Sequence, residues 1–193
     1  MPNLTIIVAG TRPGRTGLPI ADWFAERARA HGGFDVTVVD LAVVNLPMLD
    51  EPEHPRLRRY RNEDTKAWSA AVDAADAFVF VTPEYNHGYP ATLKNAIDHL
   101  HDEWASKPLG FVSYGGRAGG TRAVAQLRQV VTAVDMLALA KAVSIPSDAE
   151  FLDHEGRLHP NEITEQAAVA MLDALVQAEA VLRQVRQAPA EAA

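Results

Sequence analysis

Apolar and polar residues follow one another along this chain in two different periods, which predict strands and helices in turn. Three continuous apolar runs of strand length predict buried parallel strands at residues 4–9, 77–82 and 108–113. Residues 34–40 alternate apolar and polar positions, which predicts a half-exposed strand near a sheet edge. A fifth strand is predicted at residues 136–143.

Between these strands, apolar residues recur three and four positions apart, as on the buried face of a helix. The spacing predicts helices from Gly17 to a stop at Gly32 and Gly33, and at residues 62–75, 91–104, 124–134 and 162–186. Residues 42–61 carry three prolines and several charges, which is typical of a lid, a binding loop or a subunit contact. We expect one domain over residues 1–186 and a flexible tail at 187–193.

Strands that alternate with helices predict an α/β fold with a parallel sheet covered by helices on both faces. Right-handed crossovers between five parallel strands favour the strand order 2-1-3-4-5. In this order the chain reverses direction between the first and third strands, which opens a crevice at the carboxyl ends of the strands. The loops that leave the first, third and fourth strands are therefore expected to line a ligand site.

Composition narrows the choice of ligand and location. The 193 residues are 48% apolar and 22% charged, which is typical of a soluble globular protein. The net charge of −7 disfavours nucleic acid or an anionic membrane surface as partner. The chain has no cysteine, which excludes disulfides and thiolate chemistry. No apolar run is long enough to cross a bilayer and the first residues lack a basic leader, so we expect a cytoplasmic protein.

The first of the three loops, Gly10–Gly17, combines three glycines with two threonines and two arginines at the start of a helix. Glycines allow close approach of backbone N–H groups, and arginine and the helix dipole both favour an anion. A phosphomonoester suits this set of donors. The spacing matches neither the P-loop nor the GxGxxG dinucleotide motif. A tight, solvated turn without a ligand is the alternative.

The other two loops offer aromatic rings and exposed backbone. Two prolines bracket two tyrosines in residues 83–90, an arrangement that suits the orientation of a planar heterocycle. Tyrosines packed beneath the turn would explain the same residues. Residues 113–120 contain four glycines and form a candidate second wall of the site.

Several segments together resemble one known family. These are residues 10–15, 83–86 with 93–98, and 114–116 with 127–129. They resemble the NADPH-dependent FMN reductases, which have a flavodoxin-like three-layer sandwich and include quinone-, azo-, nitro- and chromate-reducing members. The resemblance implies that the FMN phosphate is held by Thr11, Arg12, Thr16, Gly17 and Leu18. It implies that the ring and ribityl chain contact Pro83, Glu84, Tyr85 and Asn86, and that the pyrimidine end contacts Ser113, Tyr114, Gly115 and Gly116.

The resemblance also implies a two-step reaction. NADPH, or NADH, gives a hydride to the flavin, which then reduces a quinone, an azo or nitro compound, a metal oxyanion or free flavin. It implies no catalytic side chain, because the cofactor carries the chemistry, and it implies a homodimer or homotetramer. Three alternatives remain open at this point: a flavodoxin-like electron carrier, a dehydrogenase that uses NAD(P) directly, and a scaffold without cofactor.

Other polar residues give no strong indication of a further site. Residues 98–103 contain histidines and carboxylates, but their helical spacing brings no third metal ligand, so we expect no metal site there. A serine hydrolase is disfavoured because no GxSxG motif occurs. Arg15 is compatible both with the 2′-phosphate of NADPH and with an ordinary surface position.

Overall fold

The structure is a computed structural model that describes residues 1–188. Its six strands lie in one parallel sheet in the order β2-β1-β3-β4-β5, and β6 also pairs with β4. The predicted strand order 2-1-3-4-5 is therefore confirmed. The strands are β1 (Asn3–Val8), β2 (Asp35–Asp40), β3 (Ala77–Pro83), β4 (Pro108–Gly115), β5 (Leu137–Ala138) and β6 (Val143–Pro146).

Helices cover both faces of this sheet, which makes the predicted three layers. One core packs α1 and α6 against alternate residues of the central strands, and a second core packs α3, α4 and α5 against the others. Because both faces are buried, the central strands are apolar at nearly every position. The helices are α1 (Gly17–His31), α2 (Leu41–Val44), α3 (Glu63–Asp73), α4 (Ala91–Asp98), α5 (Thr121–Thr132) and α6 (Glu162–Gln187).

The prediction of one final strand at residues 136–143 is wrong. Two short strands, β5 and β6, pair with different parts of β4. Leu139 still donates its N–H to the carbonyl of Leu109 (2.9 Å), and residues 140–142 lie outside the ladder. The guanidinium of Arg128 lies at this break and donates to the carbonyls of Ala138 (3.3 Å) and Leu139 (2.6 Å). It also packs over the ring of Phe111, 5.3 Å from the centroid. A side chain from α5 thus takes up two carbonyl groups at the place where the ladder is interrupted.

The helix predicted over residues 91–104 is also shorter than expected, because α4 ends at Asp98 and residues 102–104 form a separate 3₁₀ turn. Glu103 lies in this turn, where its carboxylate is fully buried and accepts hydrogen bonds from Tyr60 (2.8 Å) and Ser69 (2.7 Å). These bonds tie the turn to α3 and to the segment before it. Of the tail predicted at 187–193, Gln187 ends α6 and Ala188 is its C-cap, whereas residues 189–193 lie outside the described residues.

Residues 42–61 are anchored along their length. The side-chain amide of Asn95 donates to the carbonyl of Pro47 (2.7 Å) and accepts from the N–H of Leu49 (2.9 Å). Glu51 accepts from the N–H groups of residues 61 and 62 at 2.9 Å. The segment also contains α2 and a 3₁₀ turn at residues 55–57, where the sequence predicted only irregular structure.

Candidate functional site

The three predicted loops meet at the carboxyl edge of the sheet. Strand register places Val8 beside Val81, and Pro83 beside Tyr114, so the loops that follow these strands begin side by side. Between them lies an open cleft of about 220 Å³. Its walls are formed by Arg12, Gly14, Arg15, Thr16, Pro83, Glu84, Tyr85, Tyr114, Gly115 and Asp148. The predicted convergence of the loops is therefore present.

The first wall of the cleft is the start of α1. Thr16 precedes the helix without capping it through its side chain, and its carbonyl accepts from the N–H of Ile20 at 3.3 Å. The N–H groups of Gly17 and Leu18 belong to the first turn, where a helix offers no acceptor of its own. Arg12 is exposed and forms no salt bridge with the side chains that the structure describes. These free donors fit an anion with several oxygens, such as a phosphate.

An acidic side chain already contacts this wall. The hydroxyl of Thr16 donates to the carboxylate of Asp148, which follows the end of β6. The preceding residue, Ser147, donates its N–H to the carbonyls of Gly115 and Gly116 at 3.1 Å. Sequence analysis missed Asp148, because it lies 132 positions from Thr16 in a polar, turn-rich stretch without a motif.

Arg15 forms an ion pair with Asp40 at the end of β2. The side chains are only 13% and 14% exposed, so the pair is largely shielded from water. The other carboxylate oxygen of Asp40 accepts from the N–H of Ala42 at 2.9 Å and caps α2. Arg15, whose role the sequence left open, therefore links the first loop to α2, which makes it less available to a ligand than Arg12.

The second wall contains Glu84, which holds two elements together. Its N–H donates to the carbonyl of Tyr114 at 3.1 Å, and its carboxylate accepts from the backbone N–H (3.1 Å) and Nε (2.6 Å) of Arg122. Burial raises the pKa of Glu84, but the hydrogen bonds from Arg122 outweigh it and lower the pKa below its ordinary value. The carboxylate is thus ionised and compensated, which reduces its repulsion of an anionic ligand.

The turn after Glu84 has a tightly defined backbone. Tyr85 and Gly88 exchange N–H···O bonds of 2.8 and 2.9 Å, and the two residues between them, Asn86 and His87, have φ of 50° and 68°. Two left-handed residues closed in this way form a type I′ turn. Tyr85 lies on the cleft wall, whereas Asn86 is exposed and outside the lining.

Tyr114 forms the floor of the cleft. It is 4% exposed, and its hydroxyl has no hydrogen-bond partner among residues 1–188. Burial raises the pKa of this phenol, so it stays neutral and able to donate. A Cβ atom added at Gly17 would lie 2.5 Å from the Tyr114 oxygen, and one at Gly10 would lie 3.1 Å from it. The two glycines leave the space that the tyrosine needs, and its free hydroxyl suits a polar atom of a bound ligand.

The structure does not bring every predicted residue to this cleft. Thr11 instead lines a neighbouring cavity of about 270 Å³ with residues of α2 and α4. Ser113 is buried and its hydroxyl donates to the carbonyl of Gly119 at 2.7 Å, beneath the third loop. Leu18 packs against the core, Gly17 is buried and Gly116 is exposed, and all three lie outside the lining. The Ser113 hydroxyl is therefore taken up by the backbone, and Thr11 contributes to the neighbouring cavity instead of the cleft.

The polar residues at 98–103 serve the interior. His99 is fully buried, with Nδ1 2.8 Å from the carbonyl oxygen of Asn95, and Glu103 is taken up by the contacts described above. Within residues 1–188, no three histidines or carboxylates are grouped so that they could hold a metal ion. Over the same range, no helix is long and apolar enough to span a bilayer.

Comparison with known proteins identifies the family. Residues 2–150 match the family described as NADPH-dependent FMN reductase. An NAD(P)H-dependent FMN reductase of Schizosaccharomyces pombe is 42% identical over 171 residues, which cover 81% of this chain and 85% of the relative. A probable NADPH:quinone oxidoreductase of Oryza sativa is 31% identical over 144 residues, covering 72% of this chain and 69% of the relative.

A solved structure supports the fold independently. The flavoenzyme NAD(P)H:(acceptor) oxidoreductase FerB from Paracoccus denitrificans superposes with a TM-score of 0.75. The match covers 94% of this chain and 98% of FerB, at 21% sequence identity. It shows the common flavodoxin-like fold. With the profile match over residues 2–150 and the relative at 42% identity, the chain belongs to the NADPH-dependent FMN reductase family.

Proposed function

We propose that this chain is an FMN-dependent NAD(P)H oxidoreductase that reduces quinones or similar two-electron acceptors such as azo compounds. The observation that carries the proposal is the cleft, where free donors at the start of α1 face a wall of aromatic and backbone groups from two other loops. Membership of the family supports the choice of FMN and of a reduced nicotinamide as reactants. The cytoplasmic location is part of the proposal, since reduced nicotinamide coenzymes are supplied inside cells.

The residues of the cleft fit FMN by their chemistry. Arg12, the Thr16 hydroxyl and the N–H groups of Gly17 and Leu18 would hold the phosphate. On the opposite wall Pro83, Tyr85 and Gly115 would lie along the flavin ring, with the Tyr114 hydroxyl as a donor below it. Four other residues predicted to bind FMN do not line the cleft and would contribute at its rim or through backbone groups. These are Thr11, Asn86, Ser113 and Gly116.

When bound, FMN supplies the redox chemistry: it takes up a hydride from reduced nicotinamide and passes two electrons to an acceptor. The chain contributes binding and orientation. Arg122 compensates the charge of Glu84 beside an anionic cofactor, and the neutral Tyr114 donates without adding charge. Neither role requires an acid or base that changes its protonation state during turnover.

The proposed enzyme acts as a homodimer or a larger assembly of dimers. A cleft of about 220 Å³ is below the range of about 300–1,000 Å³ that encloses most ligands, so a second copy would supply further walls. The anchored segment 42–61 supports this part of the proposal, because it exposes apolar side chains. Val43 is 80% exposed, Met48 76% and Leu57 53%. Residues 1–186 would form one FMN-binding domain around the shared sheet.

The visible spectrum of the purified protein, before and after addition of FMN, tests the cofactor. Steady NADPH oxidation with menadione then tests the activity, and a flavodoxin-like electron carrier would show none. Arg12→Ala should weaken FMN binding about ten- to a hundredfold, the equivalent of a charge-assisted hydrogen bond of about 1.5–3 kcal/mol.

Arg29→Ala is the matched control, because Arg29 is exposed in the last turn of α1, at the end of the helix away from the cleft. Equal FMN affinity in Arg12→Ala and the control would remove Arg12 from the site. A protein that takes up no FMN at all would refute the proposed function.

A further inference from the structure

Asp148 lies against the donors that would hold the cofactor's phosphate. Its carboxylate accepts the Thr16 hydroxyl and lines the cleft beside the start of α1. We propose that Asp148 competes with the FMN phosphate for this donor, so that cofactor uptake displaces the carboxylate from Thr16. The inference rests on the proposed function, since it assumes that FMN is the ligand of the cleft.

A backbone turn directly after β6 brings Asp148 to the cleft. Ser147 adopts a left-handed conformation with φ of 49°, and its N–H is bonded to the carbonyls of Gly115 and Gly116. The chain therefore turns sharply after β6, and the side chain of Asp148, which lies beside the third loop, reaches the first loop. Within the described chain, the bond from Thr16 to Asp148 is the only side-chain hydrogen bond that joins the first loop to the segment after β6.

The Asp148 carboxylate contacts the same kind of donors that a bound anion would use. Asp148 forms no salt bridge in the described part of the chain, although Arg12 and Arg15 line the same cleft. The negative charge of Asp148 is instead compensated by the hydrogen bond from Thr16 and by the positive end of the α1 helix dipole. A carboxylate at a helix start resembles a bound anion in both charge and hydrogen bonding.

A phosphomonoester carries a charge of about −1.5 to −2 at pH 7, so it repels a carboxylate at the same donors. Each FMN molecule that binds must either displace Asp148 or tolerate this repulsion. In both cases Asp148 lowers the affinity for the phosphorylated flavin and eases its release. Riboflavin has no phosphate and avoids the competition, because it needs only the ring-binding walls.

The test compares FMN and riboflavin binding to flavin-free wild-type protein and Asp148→Asn, using quenching of flavin fluorescence. Asparagine keeps the size of the side chain and removes its charge. We expect Asp148→Asn to bind FMN about tenfold more tightly, the scale of one charge-assisted hydrogen bond. Riboflavin affinity should stay within about twofold, as for a surface charge change.

Asp22→Asn is the control for net charge, because Asp22 lies on the exposed surface of α1 beyond its first turn. It should change neither affinity. Asp148→Ser is a second variant with the same expected direction, and thermal unfolding checks that each variant is folded. Unchanged or weaker FMN binding in both Asp148 variants would overturn the inference, as would equal tightening for FMN and riboflavin.

These results separate the two proposals. A wild-type protein that binds FMN, together with Asp148 variants that bind it no better, refutes the competition and leaves the cofactor assignment intact. A wild-type protein that binds neither flavin refutes the proposed function, and the inference about Asp148 falls with it.

Discussion

Gly17 and Tyr114 form a steric pair that a double-mutant cycle can measure. A Cβ atom at residue 17 would lie 2.5 Å from the Tyr114 hydroxyl oxygen, closer than real Cβ contacts allow. Tyr114 is 4% exposed and its ring is packed in the core, so relieving this contact requires the ring to shift against its neighbours. Gly17→Ala should therefore destabilise the flavin-free protein by about 1–3 kcal/mol, the usual penalty for an overpacked core. The better helix propensity of alanine offsets at most about 1 kcal/mol of this.

Tyr114→Phe removes the oxygen that causes the clash. It also removes a buried hydroxyl without a partner, whose desolvation costs about 1–3 kcal/mol, so this single substitution should stabilise the flavin-free protein or leave it unchanged. In the phenylalanine background, the nearest remaining contacts of an alanine at 17 are the ring carbon at 3.3 Å and Val8 Cγ1 at 3.4 Å. Gly17→Ala should then be nearly neutral, which gives a coupling free energy of about 1–3 kcal/mol.

Urea unfolding of the wild type, the two single variants and the double variant, all free of flavin, measures this coupling. FMN titrations of the same four proteins report separately on the site, because the Tyr114 hydroxyl is also a proposed cofactor donor. The reasoning is wrong if Gly17→Ala costs the same in the tyrosine and phenylalanine backgrounds. The hydroxyl would then not be what excludes a side chain at residue 17.

Two further predictions concern buried polar groups away from the cleft. Burial lowers the pKa of Lys107 from 10.5 to about 8. Between about pH 8 and 10 the unfolded chain therefore holds a proton that the folded protein has lost. The free energy of unfolding should rise with pH in this range. Lys107→Met should flatten that slope in urea unfolding measured at several pH values, and an unchanged slope would contradict the cause. Tyr60→Phe should destabilise the protein by about 1.5–3 kcal/mol because it removes a donor to the buried Glu103 carboxylate. Tyr89→Phe is the control, and an equal loss in both variants would count against this role.

The central sheet could be predicted from sequence because both of its faces are buried. Continuous apolar runs at residues 4–9, 77–82 and 108–113 correspond closely to β1, β3 and β4, and the strand order follows from chain connectivity. The break between β5 and β6 and the early end of α4 could not be predicted. Each involves one side chain, Arg128 or Glu103, whose partners are brought to it only by the folded chain.

In the candidate site, too, the arrangement of the backbone could be predicted and the contacts of individual side chains could not. Backbone composition and strand order predicted that three loops would converge, and they do. The sequence carried no signal for which way Thr11 and Ser113 would point, because either hydroxyl can serve a ligand or a neighbouring backbone group. Asp148 was invisible for a further reason: a lone acidic residue in a turn has no recognisable pattern until its distant partner is known.

The break between β5 and β6 also affects how this sheet meets other molecules. An uninterrupted strand at the border would present a row of unpaired N–H and C=O groups, on which a strand from another chain could add. Here that border consists of segments of two and four residues, with the Arg128 guanidinium covering carbonyls between them. A cation and two short segments form a poor template for intermolecular β-pairing, so this border resists the addition of a strand from another molecule.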